Sequence, residues 1–405
     1  LLYHKQAFLS LCWQKILCAF SLKIVYMKIG IVCYPTFGGS GVLATELGIA
    51  LADKGHDVHF ITYKQPVRLS NSFRPNIYFH EVPVPDYPLF DFPPYESALI
   101  STLVSVVKNY DLDVLHVHYA IPHASAAYFA QQILKEAGKA IPYITTLHGT
   151  DITLVGRDKT YAPIVTFSLE QSTAITAVSE NLKEETIANF HIKNPIEVIY
   201  NFVDVNRFQR KEKAHFKQMI APNGERIIAH VSNFRKVKRV NDVVEIFEKI
   251  RKQVPSKLIM IGDGPERAEA EELVKKFCNL QTDVRFLGKQ EQVEEIFSIA
   301  DLFLLPSQYE SFGLAALEAM ACKIPVISSN AGGLPEINIQ GKTGFLSDVG
   351  DVEDMAANSI AILKDDATLL AFKENAYQQA HTFTIDKVVP QYEALYKKVV
   401  EQFKS

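Results

Sequence analysis

Cysteine is scarce in this 405-residue chain. The five present, Cys12, Cys18, Cys33, Cys278 and Cys322, show neither a CxxC motif nor a Cys/His ligand spacing. That excludes a disulfide framework and a zinc site, and suits reduced, partly buried thiols of a cytoplasmic protein. Long apolar runs are missing as well: Ile16–Leu22 is too short to cross a bilayer. No basic or amphipathic patch after residue 26 suggests a stable membrane association. Excess charge is absent, with a formal net charge of −4 and no strongly basic half, which argues against nucleic acid as a partner. Neither a short-period repeat nor a low-complexity tract occurs. What remains, 48% hydrophobic and 22% charged residues over 405 positions, is enough for two globular domains, each with its own core.

Residues 1–26 join poorly to the apolar strand that begins beyond Met27 and read as a non-native or upstream extension, with a targeting role as the alternative. From Met27 short apolar runs alternate with amphipathic helices, the pattern of an α/β fold with parallel sheets. Strands are expected at 29–34, 58–63, 77–82, 114–118, 144–147 and 174–178, then at 227–231, 257–261, 284–287, 302–305 and 325–328. Leu43, Leu47 and Leu51 stand at helical spacing within an expected helix over 41–54. The polar, aperiodic stretch 200–213 reads as the connection between two doubly wound, Rossmann-like domains, 27–204 and 205–384. The helix at 385–405 is long enough to pack back on the first. Ligands of such sheets bind at the carboxyl ends of the strands.

Chemistry-bearing residues gather at those ends. After an apolar strand, PSQYESFGLAALEAM places Glu310 and Glu318 eight positions apart around Gly313. If a helix starts near Gly313, the two carboxylates are separated by roughly 12 Å. A carboxylate only accepts hydrogen bonds, which suits sugar or ribose hydroxyls, and the helix start between them favours an anion. Sugar, phosphate and ribose together describe a nucleotide sugar. Two surface glutamates on a solvated helix fit the same spacing, so the surrounding chain has to decide.

The turn Pro35–Gly41 opens a helix with three glycines, permitting close backbone approach to a phosphate or serving only as a tight turn. It is not a GxGxxG pattern, and no acidic residue closes the second strand, so NAD is poorly supported. His118 and His148 stand at strand ends, whereas His116 reads as an internal neighbour. They lack the third ligand of a metal site. The run SNFRKVKR brings Arg235, Lys236, Lys238 and Arg239 to a strand end, suited to a diphosphate. Turns at Gly262–Pro265 and Gly332–Glu336 lie on the same side. Asp111 and Asp113 precede their strand, at the wrong end of the sheet for a site, and read as a solvated turn.

Taken together, GGSG, HGTD, the basic turn, GDGPE, ESFGLAALEAM and GGLPE, in this order from Met27 onward, resemble the retaining glycosyltransferases of family GT4, which have the two-domain GT-B fold. The runs YPTFGGSGV, FHEVPVP, LDVLHVHYAIPHA, TTLHGTDIT, YNFVD and SNFRKVKRVNDVV are similar to those of the members that open bacillithiol biosynthesis. The resemblance implies a hexosyltransferase moving N-acetylglucosamine from UDP-GlcNAc to the hydroxyl of L-malate. Retention of the α configuration and independence of metal and cofactor are implied with it.

Carried over by position, Glu310 and His148 hold the sugar, Glu318 the ribose, and Lys238 with Arg235 the diphosphate. Gly39 and Ser40 meet phosphate or acceptor. Asn233, Gly262, Ser311, Phe312, Gly313 and Leu314 complete the donor site. Ser40, Tyr95, His118, Thr150, Asn201 and Arg235 are candidates for the malate carboxylates. Where many members carry Gly-Arg, this chain has Ser232-Asn233, so Arg235 supplies that charge from a shifted position. No carboxylate is placed as a nucleophile, and front-face attack is the expected route. Other readings keep the donor and change the acceptor to an inositol phosphate, a lipid carrier or a polysaccharide, or make the chain a UDP-GlcNAc 2-epimerase or a nucleotide-sugar sensor. A homo-oligomer is left open.

Overall fold

The computed structural model describes residues 26–404, apart from residues 37, 70–72, 85–93, 156–157, 159 and 278–280. The reading of the first 26 residues therefore lies, up to residue 25, outside the described residues, as do Cys12, Cys18 and Cys278. Cys33 and Cys322 are buried free thiols, pushed up to about 12 by burial.

Two parallel sheets form the frame. The first contains β1 (Lys28–Val32), β2 (Asp57–Thr62), β3 (Ile77–Glu81), β4 (Val114–His118), β5 (Tyr143–Leu147), β6 (Ala174–Ala177) and β7 (Ile196–Val198), in the order β3-β2-β1-β4-β5-β6-β7. The second contains β8 (Arg226–Val231), β9 (Ser256–Ile261), β10 (Val284–Gly288), β11 (Leu302–Leu305), β12 (Val326–Ser329) and β13 (Gly344–Ser347), in the order β10-β9-β8-β11-β12-β13. In both sheets the strand order reverses beside the first strand, between β1 and β4 and between β8 and β11, which opens a crevice at the strand ends there. Central strands are apolar runs because helices cover both faces; all five residues of β4 are buried. Sequence periodicity did not reveal β7 and β13. Each is a short edge strand, IEV and GFLS, too brief for a hydrophobic pattern to declare itself.

Four helices position the site. Helix α1 (Gly39–Asp53) follows β1 and buries Leu43, Leu47 and Leu51. Helix α2 (Glu180–Phe190) follows β6, with Ser179 as its N-cap accepting from the Leu182 amide. Helix α3 (Leu314–Ala321) follows β11. Helix α4 (Ile385–Lys404) crosses back to the first domain and drives Val389, Tyr392 and Tyr396 into the core built by β1, β2 and α1. Burial of one such side chain contributes about 1.5–3 kcal/mol. The Tyr396 hydroxyl meets His116 Nδ1 at 2.7 Å, and His116 Nε2 meets Thr146 Oγ1 at 2.6 Å, so His116 is an internal residue with both ring nitrogens engaged. The chain passes between the domains at two adjacent places, where Val203 pairs with Thr384.

Candidate functional site

A cavity of about 750 Å³ lies where the carboxyl ends of the two sheets face each other. Glycine shapes its first wall. Any Cβ on Gly41 would stand 2.3 Å from the Tyr34 carbonyl oxygen, so only glycine lets α1 start tightly against β1. Gly39 and Ser40 of that turn line the cavity, as do His148, Thr150 and Asn201 from later strand ends.

The opposite wall is built by the second domain. Asn233, Arg235 and Lys238 enter from the loop after β8, and Glu310 to Leu314 enter from the loop before α3. Lys238 Nζ stands 2.6 Å from Glu310 Oε1, and Ser307 Oγ donates to the same oxygen at 2.8 Å. The pair is only 19% and 14% exposed, so solvent screens it weakly. Backbone bonds fasten the loop on two sides. The Gln308 amide donates to the Val237 carbonyl at 2.7 Å, and the Gly333 amide donates to the Glu310 carbonyl at 2.8 Å. Gly332, at φ +60°, would bring a Cβ to 2.0 Å from the Glu310 carbonyl oxygen, which explains the glycine pair in GGLPE. Ser232 is used internally: its Oγ meets His230 Nε2 at 2.8 Å and accepts from the Phe234 amide at 3.3 Å.

Several residues expected in the site stand behind its lining. His118 is buried, its Nδ1 lying 2.8 Å from His148 Nε2, and its own Nε2 has no hydrogen-bond partner among the described residues. Burial lowers both rings far below the usual histidine value, to about 3 for His148, so the pair is neutral at physiological pH. A neutral pair can orient a hydroxyl, but it supplies no cation for a carboxylate. The Tyr95 hydroxyl lies 3.4 Å from His123 Nε2, and its ring packs edge-on against Tyr63. Gly262, at φ +124°, packs behind the basic turn, where a Cβ would overlap the Ser232 carbonyl oxygen. Glu318, one turn into α3, is half-buried and faces Arg68, Arg207 and Glu294; burial raises its carboxyl to about 7 against the pull of the two arginines.

Tyr119 and Asp151 are among the lining residues that escaped the sequence reading. Tyr119 occupies φ +86°, ψ 141°, a region that costs a non-glycine residue about 1–3 kcal/mol. Its hydroxyl meets Ser40 Oγ at 2.5 Å. Nothing in LHVHYA signals this conformation. Asp151, the last residue of HGTD, accepts from the Ala120 amide at 3.0 Å and the Gly149 amide at 3.1 Å, tying the loops after β4 and β5 together. Burial raises it to about 6. Its place in a strand-end motif was the available signal.

Chemically, the cavity offers carboxylates, hydroxyls, a neutral imidazole, two cations and the start of a helix. Those groups suit a ligand combining hydroxyls with phosphate or carboxylate. Among the described residues, no group of three or more His, Cys, Asp or Glu side chains is arranged to hold a metal ion. None of the described helices is long and apolar enough to cross a membrane.

Comparison with known proteins agrees in both domains. Residues 37–207 match Glycosyltransferase Family 4, and residues 211–379 match Glycosyl transferases group 1. The N-acetyl-alpha-D-glucosaminyl L-malate synthase of Bacillus anthracis is 46% identical over 94% of this chain and 99% of its own length. The D-inositol 3-phosphate glycosyltransferase of Mycolicibacterium smegmatis is 28% identical over 53% of this chain and 51% of its own. Among solved structures, HepE of Anabaena in complex with UDP and glucose superposes with a TM-score of 0.75 at 18% identity, covering 94% of this chain and all of that one.

Proposed function

The chain belongs to glycosyltransferase family 4, and from that premise we propose that it transfers N-acetylglucosamine from UDP-GlcNAc to the hydroxyl of L-malate, releasing UDP with retention of the α configuration. This is the opening reaction of bacillithiol biosynthesis, and its water-soluble donor and acceptor fit the cytoplasm. The observation that carries the reading is the 46% identity, over nearly the whole of both chains, to the malate synthase.

The cavity suits each part of the reaction. In this reading Arg235 and Lys238 hold the diphosphate, and α3 turns its N-terminal amides toward the same charge. Glu310 and His148 take sugar hydroxyls. Ser40, Thr150 and Asn201, with Tyr119 beside Ser40, hold malate on the first-domain wall. Because the His118–His148 pair is neutral, a malate carboxylate has to draw its positive partner from Arg235 or from N–H donors. Attack by the malate hydroxyl forms the new glycosidic C–O bond as the C–O bond to the diphosphate breaks. The leaving phosphate oxygen receives the hydroxyl proton, and the two cations stabilise the charge gathering there. Glu318 is the ribose ligand in this scheme, turning from its present arginine neighbours.

UDP release from UDP-GlcNAc, measured with and without L-malate in EDTA, tests the proposal. Malate-dependent release supports it. Release that is indifferent to malate but responds to an inositol phosphate sinks the acceptor assignment, and conversion of UDP-GlcNAc alone to an epimer sinks the transferase.

A further inference from the structure

Helix α2 is held at its N-terminus by a side chain of the other domain. Glu336, the last residue of the GGLPE turn, places Oε2 2.9 Å from the Glu180 amide nitrogen and Oε1 3.0 Å from that of Asn181. The Tyr200 hydroxyl, at the junction of the domains, bonds to the same carboxylate. The first amides of a helix have no partner within it, and the helix dipole makes that end positive, so a carboxylate is the favoured occupant. Glu336 does not line the cavity, and the transfer reaction gives it no task.

The same helix reaches the loop carrying Glu310 at two more points. Ser179 Oγ donates to the Ser311 carbonyl at 2.6 Å, and the Tyr309 hydroxyl donates to Glu185 Oε2 at 3.1 Å. Glycines allow the close approach: a Cβ on Gly149 would stand 2.7 Å from Ser311 Cβ, and one on Gly333 would stand 3.1 Å from Ser179 Cβ. Tyr309 and Ser311 flank Glu310, and the Gly333 amide bonds the Glu310 carbonyl. The loop that carries Glu310 is thus held by contacts between the domains as well as by bonds within the second, and the Glu336 carboxylate accepts two of the bonds that cross the boundary.

We propose that Glu336 is a positioning residue which clasps the N-terminus of α2 across the domain boundary and thereby sets the 307–313 loop, with Glu310, against the acceptor wall. The side-chain bonds of Glu336 go to the first domain and the junction, so its loss leaves the second domain's own packing intact. A carboxylate accepts at both oxygens, whereas glutamine turns an NH₂ toward one of the two amides. Glu336→Gln therefore keeps the shape and loses one bond, and Glu336→Ala loses all.

The test compares wild type, E336Q and E336A by hydrogen exchange at the Glu180 and Asn181 amides, by UDP binding, and by malate-dependent turnover. Exchange at those amides is expected to speed up in the order wild type, E336Q, E336A. In E336A, kcat/KM for malate should fall about 10- to 100-fold, with E336Q between. UDP affinity should stay within about threefold, since its ligands are drawn mainly from the second domain. Unchanged turnover overturns the proposal, as does a loss of UDP affinity in E336Q as large as its loss of turnover, which would put Glu336 in the donor site itself. The kinetic arm rests on the transferase reading, but the exchange arm does not. If that reading were wrong, wild type would lack malate-dependent release while the amides still responded to Glu336.

Discussion

Lys238 Nζ lies 2.6 Å from Glu310 Oε1, so the ammonium assigned to the donor diphosphate and the carboxylate assigned to the sugar form one ion pair. Under the proposed reaction, a diphosphate at Lys238 would compete with Glu310 for that ammonium and release the carboxylate to sugar hydroxyls. Lys238→Ala removes the charge and strips Glu310 of its partner. Turnover should fall about 10²- to 10³-fold, the scale for loss of one donor to developing charge. UDP release with saturating malate measures it, and near-normal turnover would remove Lys238 from the reaction.

Gly332 gives a purely steric handle on the same loop. An alanine there must accommodate a left-handed backbone and a Cβ directed into the Glu310 carbonyl oxygen. The backbone conformation alone costs about 1 kcal/mol or more. Gly332→Ala should therefore displace the loop and lower turnover about tenfold or more, while thermal unfolding still shows one cooperative folded protein. Wild-type kinetics in G332A would mean that the loop tolerates movement and that Glu310 is less constrained than the structure implies.

How far this site could be read from sequence depends on whether a feature is local. The strand, turn and helix around Glu310 were legible because an apolar run, a glycine and a helical spacing lie within about twenty residues. The Glu336 clasp was not, because its partners lie 155 and 156 positions away and are backbone amides, which leave no mark in side-chain pattern. Tyr119 was missed because its strained backbone is imposed by packing and not by residue type. Glu318 was legible as one of a spaced pair, but which way it faces depends on Arg68 and Arg207, brought in from distant segments.

The environment of Glu318 has a consequence for pH. Burial raises its folded carboxyl from 4.5 to about 7, so between those values the native state binds more proton than the unfolded chain. The favourable contribution is complete below pH 4.5, declines as pH rises, and is gone above about 7. Stability should fall across this window by at most about 3 kcal/mol, less to the extent that solvent reaches the half-buried carboxyl. Glu318→Gln should flatten that slope in denaturant titrations at pH 5 and 7.5, and an unaltered slope would mean that the carboxyl is not held neutral.

The two histidines of the first-domain wall should behave differently. Neutral rings at His118 and His148 leave no imidazole of this pair to titrate between pH 5 and 8. Nitrogen chemical shifts of both rings should stay those of neutral imidazole down to pH 5. A ring that charges at pH 6 to 7 would restore the pair as a candidate cation for malate.

Tyr119 offers the sharpest separation of acceptor binding from folding. Its ring packs against Tyr34 and His148, with centroids 5.4 and 5.3 Å away, and its hydroxyl meets Ser40 Oγ at 2.5 Å. Burial holds the phenol well above its ordinary range, so it works as a neutral hydrogen-bonding group and not as a base. Tyr119→Phe keeps the ring and the backbone conformation but leaves Ser40 without this partner. The stability cost is that of one hydrogen bond, about 1 kcal/mol. If Ser40 and Tyr119 together orient malate, the KM for malate should rise about tenfold at unchanged UDP affinity. Tyr119→Gly would relieve the strained backbone yet remove both ring and hydroxyl, so it should bind malate worse than Y119F despite a relaxed main chain. A KM for malate equal to wild type in Y119F would place the acceptor elsewhere in the cavity and leave the strain at Tyr119 serving the fold alone.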